Sequence, residues 1–280
     1  MEREREHQHQ LLPETRRLLE EVEQLTGRPV MVRADANVAS RGRAIYAVSD
    51  PNPERHLVLY DPSQARFLDH LVGHELGHVL HFDEAAPADR RVPVVTGECR
   101  SRALRQLLPE LEILLRRGFP AAALAEVFPI WLSGTVAQLS DTPSDVRIER
   151  WLFEKHPNLG DAQRSSLREQ SRTLQMVLRP QVERITPPSL WLASNAMNYV
   201  LLKSVAEFLQ EPGFIRPYLG NPSHRLGEEL IRLSAQHRDE NLTADRLVSD
   251  AWAEHMGLAG WYEWRRLDEL SSSSGPIGVE

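Results

Sequence analysis

All the strand-forming sequence of this 280-residue chain is crowded between residues 30 and 60, and helix-type periodicity fills nearly all the chain beyond Tyr60. Three short runs, Val30-Met31-Val32-Arg33, Ala44-Ile45-Tyr46-Ala47-Val48 and His56-Leu57-Val58-Leu59-Tyr60, are separated by turn chemistry at Arg41-Gly42 and Asp50-Pro51-Asn52-Pro53. They predict a small sheet with antiparallel pairs. A helix over Pro13–Leu25 precedes them and stops at Gly27-Arg28-Pro29. After Asp61-Pro62 the pattern predicts helices over 63–82, 98–117, 121–139 (interrupted at Pro129), 142–156, 161–185, 189–210, 223–238 and 243–268. The break before the fourth rests on Thr142-Pro143-Ser144, where either hydroxyl can cap a helix and proline suits its first turn. The expected class is therefore α+β, with a small N-terminal sheet, one helix laid against it, and a large helical body.

The composition, 41% hydrophobic and 26% charged, is that of an ordinary globular protein. Residues 1–10 and 271–280 read as flexible tails around a single domain, 11–270, with the sheet and first buried helix in 11–82 and the helical body in 83–270. A net charge of -7 gives no electrostatic case for nucleic acid or an anionic membrane. Cys99 is alone, so no intramolecular disulfide can form. The N-terminus lacks the apolar stretch of a secretion signal. The most apolar long segment, Leu190 to Leu209, is broken by Asn195, Asn198, Lys203, Ser204 and Glu207, and reads as a buried helix. The expectation is a cytoplasmic protein whose oligomeric state the sequence leaves open.

The chemistry is concentrated at His74-Glu75-Leu76-Gly77-His78. Residues four apart on a helix share a face, so His74 and His78 can aim both imidazoles at one ion, and imidazole is a good zinc ligand. Glu75 is offset around the helix, where a carboxylate reaches a water on the metal instead of the metal itself. Zinc brings such a water towards a pKa of about 7, and Glu75 can take its proton as general base. Phe67, Leu68, Leu71, Val72, Leu76, Val79 and Leu80 give the helix an apolar stripe that would bury it. Gly77 permits close approach by another backbone. The competing reading is an amphipathic helix with two incidental histidines. His81 is offset from the His74–His78 line and reads as a packed or surface residue.

The run His74-Glu75-Leu76-Gly77-His78-Val79-Leu80-His81 resembles the zinc helix of the zincin metallopeptidases. No Gly-x-x-His continuation follows His78, which departs from the metzincin pattern and leaves the gluzincin type, in which a glutamate from a later helix completes the site. Two glutamates compete. Glu149 lies among Val146, Ile148, Leu152 and Phe153, a setting costly for a carboxylate that nothing compensates. Its stretch resembles the downstream glutamate helix of gluzincins. Asp145, one turn earlier, could accept a hydrogen bond from a ligand histidine and so orient it, although the family places its acidic companion after the glutamate. Glu98, in Glu98-Cys99-Arg100-Ser101-Arg102, is similar to the third-ligand segment of phage-immunity and stress-response metallopeptidases, but its helix face is wet. Glu149 is favoured, with Glu98 as the alternative third ligand.

The resemblance implies a zincin-like fold and a zinc-dependent peptidase acting on a protein or peptide. His74, His78 and Glu149 would hold Zn2+, and Glu75 would be the catalytic base. Tyr199 and Arg147 are candidates for stabilising the transition state, alongside His224, His255 and Tyr262. The alternative is a zinc-stabilised regulatory or protein-binding module without turnover, in stress or phage-defence signalling. A third reading is a helical interaction protein that holds no metal. Trp191, Trp252, Trp261 and Trp264 are expected in the C-terminal core.

Overall fold

A computed structural model describes residues 11–38, 41–45, 54–237, 239 and 241–272. Both predicted tails, apart from Ser271 and Ser272, lie outside the described residues, as do residues 46–48 of the second predicted strand. The protein is mostly helical α+β, with a three-stranded mixed sheet near the N-terminus followed by a large helical body. In chain order the elements are α1 (Pro13–Thr26), β1 (Val30–Ala34), β2 (Gly42–Ile45), β3 (His56–Tyr60), α2 (Leu68–Glu84), β4 (Arg91–Val94), α3 (Gly97–Arg116) and α4 (Ala121–Lys155). They continue with α5 (Gly160–Met176), α6 (Pro180–Ile185), α7 (Pro188–Leu209), α8 (Pro222–Ser234), α9 (Leu242–Met256), β5 (Glu263–Arg266) and α10 (Leu267–Ser272). Two compact units emerge. One runs to Val92 and includes Trp151–Ser166 and the chain from Arg265; the other comprises Pro93–Arg150 and Leu167–Trp264.

In the first unit β3 is the central strand, and all five of its residues are buried. A short, wholly apolar or aromatic run flanked by His56 suits a strand covered on both faces. β2 pairs antiparallel with β3, from Gly42 opposite Tyr60 to Ile45 opposite Leu57. β1 is parallel to β3, with Val30 opposite His56. The expected sheet is present, then, but one of its two pairings is parallel. The cause is β2, which lies on the far side of β3 and so leaves β1 to pair along the other edge in the same direction. α2 lies against α1, β2 and β3. Asp61 caps a short 3-10 turn over Pro62–Phe67 through Ser63 N at 2.8 Å, and the regular α-helix starts only at Leu68. Asp69 in the first turn of α2 accepts from Leu12 N at 2.6 Å and from the Thr15 hydroxyl at 2.7 Å, which satisfies donors at the start of α1.

The second unit has a core of side chains at helical spacing. α3 contributes Ala103, Leu107, Leu111 and Leu114; α4 contributes Leu124, Phe128, Leu132, Val136 and Leu139. Trp252 and Trp261 are buried in it, and Trp264 packs against it. Trp191 is also buried, its indole N–H donating to Val177 O. Length and composition would let α4 cross a membrane, but its apolar stripe from Leu124 to Leu139 is turned into this core.

Three helix predictions differ from the observed elements, the first being the helix expected over 161–185, which divides into α5 and α6 where Pro180 starts a new helix. α4 runs unbroken through Pro129 and Pro143. Thr142 and Ser144 do not cap anything there: the Thr142 hydroxyl donates to Gln138 O at 2.6 Å, and Ser144 donates to Asp245 at 2.9 Å. Proline removes one donor and crowds the preceding turn, yet burial on both sides holds the helix together. The last predicted helix stops at Met256, because Gly257 takes a left-handed φ of 73° and Gly260 one of 79°, and β5 comes next.

Candidate metal centre

α2 presents His70, His74 and His78 in one row, each four residues from the next. The Nε2 atoms of His74 and His78 face each other at 3.1 Å, with ring centroids 4.9 Å apart. His70 and His74 have centroids 6.1 Å apart. His70 is 2% exposed, and the other two rings are half-buried.

Gly73 explains what lies opposite this row. A Cβ built there would stand 3.3 Å from side-chain atoms of both Leu152 and Leu159. The absent side chain thus lets the last turns of α4 settle onto α2. At 100° per residue, Asp145, Glu149 and Leu152 fall within one narrow sector of α4. The helix that seats Leu152 on Gly73 therefore carries both acids on that same side. Two groups of metal-competent atoms result, one from His70, His74 and Glu149 and the other from His74, His78 and Asp145. Within each group the ligand atoms lie within 4.8 Å of one another.

These donors suit zinc. Two nitrogens bound to one tetrahedral zinc at about 2.0–2.1 Å stand about 3.3 Å apart, close to the His74–His78 separation. Only one of two ring nitrogens so placed can carry a proton, whereas a cation uses both lone pairs. Glu149 is 2% exposed, and a carboxylate at that depth requires compensation.

Glu75 is 7% exposed and leaves the histidine row sideways, towards the sheet. A Cβ on Gly42 would lie 2.8 Å from its Oε1, so β2 passes the carboxylate with no side chain between. β2 is an edge strand, and Glu75 sits beside that edge.

Of the residues singled out in the sequence, His74 and Glu149 fall in one group, and His74, His78 and Asp145 in the other. Asp145 offers an oxygen within 4.8 Å of the His74 and His78 ring nitrogens, where sequence reading gave it only an orienting role. His70 was missed, although the spacing that links His74 to His78 reaches it one turn earlier. Glu98 belongs to neither group; its carboxylate is exposed in the first turn of α3 and pairs with Arg102 at 3.2 Å. Arg147 forms an ion pair with Asp245 and donates to Asp239 O at 2.7 Å. The Tyr199 hydroxyl donates to Glu228, and burial, reinforced by that bond, raises its pKa well above the ordinary phenol value. His224 stacks edge-on against Tyr199, His255 pairs with Glu229 at 2.9 Å, and Tyr262 donates to Asp250. In the polar stretch of α7, Asn198 accepts from Gln138 at 2.7 Å and Asn195 donates to Trp191 O at 2.8 Å, while the buried Asn195 Oδ1 has no hydrogen-bond partner among the described residues. No protein-family model, curated protein or solved structure matches the chain.

Proposed function

We propose that the chain is a zinc-dependent metallopeptidase of the gluzincin type, acting on a protein or peptide in the cytoplasm. The observation that carries this reading is the close His74–His78 nitrogen pair, with acids of α4 gathered about the same row. Zinc held there would supply a Lewis acid and a water acidic enough to lose a proton near neutral pH. Glu75 is the neighbouring base: its carboxylate would take a proton from the attacking water and hand it to the leaving amine. The β2 edge strand beside Glu75 supports a peptide substrate, because an extended chain can add to a sheet edge through main-chain hydrogen bonds. His74 is common to both ligand groups; His78 or His70, with Glu149 or Asp145, completes the set.

The test uses protein purified without a histidine tag. Metal analysis should find zinc, and a casein or mixed-peptide digest should show cleavage. Glu75→Gln should keep the zinc and lose cleavage by roughly 100-fold or more, the scale of general-base catalysis. A Glu75→Gln protein with full activity would remove the proposed base.

A second reading has one observation in its favour. His70 and Glu149 are each 2% exposed, the burial expected of a closed structural site. The chain would then be a zinc-stabilised binding module without turnover. Zinc in the native protein with no cleavage, and no difference on Glu75→Gln, would decide for it.

A further inference from the structure

The second unit contains a cavity of about 210 Å³ whose walls come from α4, α7, α8 and α9. For scale, an engineered apolar cavity of about 150 Å³ holds benzene. Val146, Val200, Ile231, Val248 and Trp252 make its body apolar. Cations stand among them: Arg147, Arg150 and Lys203 face two carboxylates, Glu207 and Asp245. Arg147 is committed to Asp245 and to backbone carbonyls. Among the described residues Lys203 pairs only with Glu207, one turn away at 3.6 Å, a surface pair of little strength. Arg150 is exposed and has no ion pair among the described residues. Ser204 is 7% exposed, and its hydroxyl has no hydrogen-bond partner among the described residues. A buried hydroxyl left unmatched is costly, and in a cavity wall it marks a place for a ligand oxygen.

We propose that this cavity binds a small organic monocarboxylate with an apolar, ring-sized body. The body lies against Val200, Ile231 and Trp252. The carboxylate meets Arg150 and Lys203 and accepts from the Ser204 hydroxyl. One surplus cation selects a single negative charge, and the volume selects a ring with a short arm. The site is separate from the metal centre: at 100° per residue, Val146, Arg147 and Arg150 project from a sector of α4 away from Asp145 and Glu149.

Binding is tested by calorimetric titration of the full chain after zinc removal, so that the metal reading plays no part. The probes are phenylacetate, 2-phenylethanol and phenethylamine, which share a ring and differ in the charge at its arm. Phenylacetate should bind at one site, the alcohol about 100-fold more weakly, as the loss of two charge-assisted hydrogen bonds requires, and the amine not at all. Arg150→Gln and Lys203→Gln, both changes at accessible positions, should each weaken phenylacetate about tenfold and leave the alcohol unchanged. Ser204→Ala should weaken phenylacetate and spare the alcohol in the same way. The proposal is overturned if no probe binds, if the alcohol and the acid bind equally, or if the variants bind phenylacetate like the native chain.

Discussion

Glu75 and Gly42 set the residue-scale test of the proposed chemistry. A methyl group on Gly42 would meet Glu75 Oε1 at 2.8 Å, closer than real Cβ contacts, so Gly42→Ala must displace the carboxylate. A base moved by about 1 Å costs roughly 100-fold in rate, so turnover should fall by that order while zinc stoichiometry stays native. Unchanged turnover, read beside metal analysis of the same sample, would mean that Glu75 does not act from this position. Ligand roles separate in the same way. His74 belongs to both metal-competent groups, whereas His70 and His78 belong to one each. His74→Ala should therefore lower zinc affinity most, by more than about 100-fold, and His70→Ala and His78→Ala should each cost less. A chelator competition titration measures all three, and equal losses would contradict the shared role. The pair His74 and His78 was legible because spacing alone brings it together. His70 obeys the same rule, but its partner Glu149 lies far away in the chain, and no local pattern announces that meeting.

At the scale of elements the junction at Gly73 governs the centre. A larger residue there drives a side chain into Leu152 and Leu159, and overpacking of this kind costs about 1–3 kcal/mol. Gly73→Val should thus lower the urea midpoint and reduce bound zinc together, since α4 cannot settle at its native depth. Full stability with normal zinc would show that the contact does not position the acids. The sheet carries a separate, pH-linked prediction. Burial, followed by the nearby Arg28 charge, lowers the pKa of His56. The unfolded chain then binds the proton more readily, so this contribution is present above the ordinary histidine range and is lost as pH falls through it. Melting temperature should drop on acidification below about pH 6.5, and His56→Gln should flatten that slope in zinc-free protein. Parallel slopes would exclude His56 as the source. Of the elements themselves, β3 and α7 were readable because their runs are apolar and bounded by turn residues. The continuity of α4 was not, because Pro143 signals a start while tertiary burial keeps the helix intact. Nor was the parallel β1–β3 pairing, which depends on where β2 inserts.

For the whole molecule, ligands drawn from α2 and α4 make metal binding a folding matter, since an unfolded chain brings no such groups together. A ligand that binds only the native state stabilises it by about 4.1 kcal/mol when its free concentration is 1,000 times Kd. For a chain of this size that raises the melting temperature by roughly 10 °C. Native protein, the same protein after EDTA treatment, and a zinc-reconstituted sample should therefore melt high, low and high again in calorimetry. Glu75→Gln should show the same shift, because a base outside the ligand set leaves affinity intact. His74→Ala should show little or none, because it deletes the donor common to both groups. This pattern divides ligand from base without any substrate, so it holds for a peptidase and for a binding module alike. A shift that survives His74→Ala would place the stabilising ion elsewhere on the chain, and the arrangement of α2 against α4 would then need another explanation.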